Sequence, residues 1–202
     1  MIPYYKTIAG GKDTLRKKLD IDRLEMPMKV IRCQDGLFTN QEYMNLLGYF
    51  SWEDFVSAYK SEQKIITQAD KVSKTVNEFE NAISEIVDKE TEDVENLHDH
   101  EVGIASLVFA LSAFGCAPIS GCRAHPGGTY SSAPSAGLFA PKTKARTLLG
   151  VAMHSNVGII NNSHIEEHNG IEIYAHTVTD LMQYAHNLYK TQNTPAPKSK
   201  RR

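Results

Sequence analysis

At 202 residues, with 41% hydrophobic and 23% charged side chains, the chain reads as an ordinary soluble globular protein able to bury a core without staples. Cys33, Cys116 and Cys122 form no even disulfide framework, and Met1-Ile-Pro-Tyr-Tyr-Lys6 is not a cationic start followed by an apolar run, so a cytoplasmic rather than secreted protein is expected. The net charge of -2 conceals blocks: Lys/Arg outnumber Asp/Glu eight to four over residues 1–32, Asp/Glu lead sixteen to five over 33–101, and Lys/Arg lead nine to four thereafter, a pattern that favours intramolecular or partner contacts over a nucleic-acid face.

Thr39-Asn-Gln-Glu42 spells a capping box and predicts a short helix through Tyr43, Leu46 and Leu47; Ser51-Trp-Glu-Asp54 predicts the start of another. From Ile65 the apolar positions Ile65, Ala69, Val72, Val76, Phe79, Ile83 and Ile86 alternate spacings of four and three, a heptad seam within one long helix over 62–90. Glu62 and Glu90 stand where the next members of the seam belong. Such a stripe packs either on another helix of the chain or, through residues 65–86, on a partner or second copy. The acidic run that follows, including His98-Asp-His100, reads as a solvated helix continuation or a hairpin loop.

Val102 to Ile119 carries no charge over eighteen residues, the lower limit for a membrane span. Its glycines, proline and serines, and the acid just upstream, predict instead a buried helix running into a buried strand, with no membrane partner. Beyond Gly115 the period changes: "APIS" and "AGLFA" read as strands, "KARTLLGVAMHS" as a helix, and "NVGIIN" and "IEIYAH" as strands joined by a polar turn. Thr177-Val-Thr-Asp180 opens a last helix with Val178, Leu181, Met182, Ala185, Leu188 and Tyr189 on one face. The order predicts an α/β (α+β) domain over residues 102–190, a small mixed or antiparallel four-stranded sheet with covering helices, preceded by a helical region over 1–101. Residues 191–202, ending "PKSKRR", read as a disordered basic tail with at most weak contact to nucleic acid.

The chemistry concentrates in "GCAPISGCRAHPGG", residues 115–128, where a strand leaves the sheet. Ser120, Arg123, Gly127, Gly128 and Thr129, with His125, place hydroxyls, exposed amides and positive charge in one loop, a composition suited to an anionic, phosphate- or nucleotide-like group. In a second reading the protein is an enzyme, with Cys122 as nucleophile beside Arg123 and His125 as its base. A third makes the chain a structural subunit of a larger complex. Over six residues, Ser120-Gly-Cys122-Arg-Ala-His125 resembles the Ser-Ser-Cys-Ser-Gly-Arg loop of the wybutosine-synthesis family, with His125 in the Arg position and Ala124 in that of Gly; the resemblance implies a nucleotide or S-adenosylmethionine-like ligand. A phosphatase loop is excluded, since six residues rather than five separate Cys116 from Arg123. No metal is expected: Cys116, Cys122 and His125 lack a zinc-knuckle spacing, and His164-Ile-Glu-Glu-His168, which spells an inverted zinc-protease motif, sits between Asn-rich turn residues rather than in a helix.

Overall fold

The computed structural model describes residues 14–32, 42–124, 133–165 and 167–193. In chain order these form β1 (Lys17–Lys18), a 3-10 turn (Ile21–Arg23), α1 (Met28–Ile31), α2 (Trp52–Val72), α3 (Val76–Val87), α4 (Glu92–Glu95), α5 (Ala105–Ala113), β2 (Ala117–Cys122), β3 (Ser135–Phe139), α6 (Lys142–Met153), β4 (Val157–Ile165), β5 (His168–Ala175) and α7 (Val178–Asn193). The fold is a mixed α/β arrangement with a helical N-terminal region. Its sheet has five strands rather than the expected four, in the order β1-β4-β5-β3-β2. The four strands legible from alternation pair antiparallel, whereas β1 joins parallel to β4 through only two residues, Lys17 opposite Ile159 and Lys18 opposite Ile160. What holds β1 there is remote: the Tyr174 hydroxyl donates to Thr14 O and accepts from Arg16 N, both at 3.0 Å. The Tyr174 ring lies across Gly158, so closely that no Cβ would fit beneath it.

The helix expected over 62–90 is two helices, and this corrects the single-helix reading. At Ser73 the backbone turns extended, its hydroxyl donating to Ala69 O, and Thr75 then caps α3 in a full capping box with Glu78. α2 and α3 pack against each other, burying Ile65, Ala69, Phe79 and Ile83 inside the chain while Val72 stays exposed. The four-three spacing survives the break because two successive helices packing on one core each present a stripe to it.

A second correction concerns residues 43–50. Thr39 to Gln41 lie outside the described residues, and from Glu42 onward the chain forms a strap, not a helix. Glu42 bridges Ser120 at the edge of β2, Tyr43 N donates to Ile119 O at 2.6 Å, and Asn45 N donates to Ile31 O at 3.1 Å. These bonds to the sheet edge and to α1 replace the helix's own ladder. The strap ends on Ser112 of α5, whose buried hydroxyl accepts from Tyr49 N and Phe50 N at 3.1 and 3.0 Å. Ser51 and Asp54 then form the expected capping box of α2.

α5 is the centre of the molecule. Every residue from Ala105 to Ser112 is buried, with α2 and α7 packed against it, in one apolar cluster that runs from Leu24 to Leu188. No local side chain caps its N-terminus. The cap comes from α2: Glu62 accepts from Gly103 N at 2.8 Å and from Ser106 N at 3.2 Å. The uncharged stretch is therefore a helix leading into a strand, and among the described residues no helix is long and apolar enough to cross a membrane.

Candidate functional site

α5 delivers the chain to β2, and β2 leaves the sheet at Cys122, directly beside the segment that precedes α5. Arg123, the next residue, is bound on three sides. Its amide donates to Glu101 Oε2 at 2.8 Å, its Nη2 to Glu80 Oε2 of α3 at 2.7 Å, and its Nε lies 3.8 Å from Glu101 Oε1. The guanidinium thus ties α3 to the entrance of α5, at a side-chain exposure of only 12%. Its Nε finds no hydrogen-bond acceptor among the described residues.

Cys122 is buried, and its thiol accepts from Ala124 N at 3.4 Å. Burial, reinforced by the negative charge of Glu101, raises its pKa above the usual thiol value, against the opposing pull of the Ala124 amide and Arg123. Cys116 is more deeply enclosed, and burial pushes its thiol up to about 12. Ser120 is half-buried within β2, opposite Gly137 of β3. His125, Gly127, Gly128 and Thr129 lie outside the described residues, so of the expected loop the structure places Ser120 within β2, Cys122 at its end and Arg123 against Glu80 and Glu101.

Next to Arg123 opens a cleft of about 330 Å³ that no reading of the loop foresaw. Ile83 and Val87 of α3, with Val94, Leu97 and Val102, give it an apolar wall; His100, Glu101 and Arg123 supply polar groups, and Asp88 and Asp99 stand on its rim. His98 and Asp99 both take positive φ, 47° and 62°, and this reversal turns the next residue inward. Here the expectation of a solvated histidine pair is corrected: His98 is exposed, but His100 is 7% exposed and packs against Tyr43, Phe50 and Phe109. His100 Nδ1 faces Leu97 O at 3.1 Å and His98 O at 2.8 Å, so Nδ1 carries the proton and donates. Burial lowers the ring's pKa and keeps it neutral at pH 7, which leaves Nε2 an acceptor without a partner among the described residues.

Tyr43 packs against His100, their ring centroids 4.9 Å apart. Its hydroxyl lies over Gly121, where a Cβ would approach within 2.5 Å of it and within 2.6 Å of Ile104 Cγ2. Burial, then Glu101, Cys122 and Glu62, hold the phenol well above its usual pKa. Nothing matches the chain: no protein-family model, no curated protein and no solved structure. The six-residue likeness at Ser120 to His125 therefore has no longer match behind it.

His154, His168, His176 and His186 do not line this cleft. β4 ends at Ile165 and β5 begins at His168, so the H-x-x-E-H spelling lies in a strand-turn-strand hairpin. His168 Nδ1 meets Glu25 Oε2 at 3.1 Å on the surface, where the Asn169 amide, then His168, lower the Glu25 pKa. Among the described residues no three His, Cys, Asp or Glu side chains are grouped to hold a metal ion.

Proposed function

We propose that the protein is a binding protein and that the cleft between α3 and residues 94–102 is its ligand site. One observation carries this reading: a cleft of about 330 Å³ sets an apolar wall of Ile83, Val87, Val94, Leu97 and Val102 against the polar side chains His100, Glu101 and Arg123. The volume falls at the lower end of the range for small-molecule sites. A panel of small amines, guanidines, carboxylates and phosphates, followed by ligand-observed NMR, tests the reading. Compounds that bind the wild-type protein should lose their signal with Ser84→Trp, which fills the cleft from the exposed side of α3. Binding untouched by Ser84→Trp, or none from any class, would sink the proposal.

The place of Arg123 on the cleft favours a second reading, recognition of an anionic group by Ser120, Arg123 and the loop to residue 132. An anion there competes with Glu80 and Glu101, which already answer the guanidinium charge, and binding confined to phosphates or carboxylates would favour it over the first reading. Catalysis by Cys122 with His125 has less support, because burial and Glu101 both disfavour the thiolate that a nucleophile needs.

A further inference from the structure

We propose that His100 makes the strap over residues 42–50 an acid-sensitive latch: a proton taken up by the buried imidazole releases the strap from α5 and from the edge of β2. The placement of the ring carries this. It stands between both ends of the strap and the central helix, with ring centroids 4.9 Å from Tyr43, 5.5 Å from Phe50 and 5.2 Å from Phe109 of α5. Nδ1 already donates to Leu97 O and His98 O, so an added proton must go to Nε2. That nitrogen is enclosed and meets no hydrogen-bond partner among the described residues, so a cation there has neither water nor an acceptor unless a neighbour moves.

The groups around the ring do not relieve the charge. Burial is the largest influence and holds the imidazole below its ordinary 6.5; the carbonyls of His98 and Leu97 and the Asp99 carboxylate pull the other way, and the His98 ring adds to burial. From the strap, Tyr43 presents a phenol held well above its usual pKa and therefore neutral. Phe50 and Phe109 present nothing that titrates. Of the charged residues that line the cleft with His100, Glu101 and Arg123 are engaged with each other and Arg123 with Glu80, and Asp88 stands on the rim.

The strap is the neighbour able to yield. On the other side the chain is pinned, since Glu101 O accepts from Ile104 N and Ala105 N, and the Glu101 carboxylate from Arg123 N. The strap itself rests on Tyr43 N to Ile119 O, Asn45 N to Ile31 O and the Ser112 hydroxyl, which accepts from Tyr49 N and Phe50 N and donates to Leu46 O. Its buried side chains Tyr43, Leu46 and Phe50 keep it closed at neutral pH. β2 ends the sheet on that side, so release bares its outer edge. A histidine whose closed-state pKa is depressed stabilises closure fully above 6.5 and loses that contribution as pH falls below it, toward the closed-state value. Each pH unit in that window multiplies the released fraction by up to about ten. Glu62 gains its proton over part of the same range with the opposite sign, and does so alike in wild type and variant.

Hydrogen exchange of the full-length protein, followed by NMR at three pH values from about 7.5 to about 5.5 and corrected for the intrinsic rate at each, tests the latch. The Tyr43, Asn45, Tyr49 and Phe50 amides should lose protection below pH 6.5, by up to about tenfold per unit, while the Ala175 amide, which donates to Pro134 O, does not lose its own. His100→Phe keeps a ring against Tyr43, Phe50 and Phe109 but cannot take a proton, and should abolish the pH dependence of the strap. Should that variant fail to fold, the His100 Cε1–H resonance of the wild type still decides: it must titrate below 6.5, and a midpoint at or above 6.5 overturns the proposal. Strap protection that is flat with pH, that falls equally in His100→Phe, or that falls in step with Ala175 overturns it as well, the last as global unfolding. Loss at the His100 amide alone, with the strap still protected, would mean that the ring swings out by itself and that there is no latch.

Discussion

Glu62 offers the sharpest test of the packing described above, because its carboxyl is fully enclosed between α2 and α5. Burial raises its pKa to about 7 from an ordinary value near 4.5, against the hydrogen bonds from Ser106, Gly103 and Ala105 that favour the charged form. Between pH 4.5 and about 7 the folded protein therefore holds a proton that the unfolded chain releases. Stability must fall as pH rises through that window and level off above it, by roughly 3 kcal/mol for this one group. Glu62→Gln removes the titration. It also loses one of two acceptor oxygens, a constant offset of about 1 kcal/mol. Urea melts of both proteins from pH 4.5 to 8.5, taken as a difference, cancel the other titrating groups. Relative to wild type, the variant should gain roughly 3 kcal/mol between the acid and alkaline ends. A difference that stays flat with pH would mean that the Glu62 carboxyl is not enclosed as described, and that the cap on α5 is solvated.

Three other outcomes follow from contacts already described. Arg123→Gln leaves Glu80 and Glu101 without the cation between them and should destabilise the protein by roughly 2–4 kcal/mol, measurable by chemical denaturation; a neutral result would mean the guanidinium is not a structural tie. Ile83→Asp places a charge where a side chain is 1% exposed, so thermal melts should show a loss of several kcal/mol, while an unchanged melting point would put the heptad stripe on the surface. Iodoacetamide at neutral pH should label Cys122 far more slowly in the folded protein than in urea, by peptide mass spectrometry, and equal rates would show an accessible, activated thiol.

Much of the fold was legible because its elements are local. The four longer strands, α6 and α7 follow from alternation, turn residues and a single apolar stripe. The break between α2 and α3 was also written in the chain, as Thr75-Val-Asn-Glu78, but the unbroken four-three spacing across it concealed the cap. β1 had no such signal: two lysines pair with β4 only because Tyr174, 160 residues from Thr14, anchors the strand's approach. At the site, Arg123 was visible as a residue but its partners were not, since Glu80 is 43 positions away and Glu101 22. His100 was hidden differently. Its neighbours in sequence are polar, and only the two left-handed residues before it bring it into the aromatic cluster. Glu62 did leave a mark, as a charge standing on an apolar seam, and a carboxylate in that position signals a buried partner 41 residues on.

The enclosure of α5 also has a consequence for the chain while a ribosome is making it. When Ala113 has been added, the helix has α2 for one side, but α7, which covers another, does not begin until Val178 and arrives seconds later at ordinary elongation rates. Throughout that interval a helix enclosed from Ala105 to Ser112 must wait with part of its surface bare, next to a strand whose ladder partner, β3, has not yet emerged. The order of synthesis thus places the most aggregation-prone segment of this protein in the middle of its chain, and its safe passage depends on what shelters it before the C-terminal helix is made.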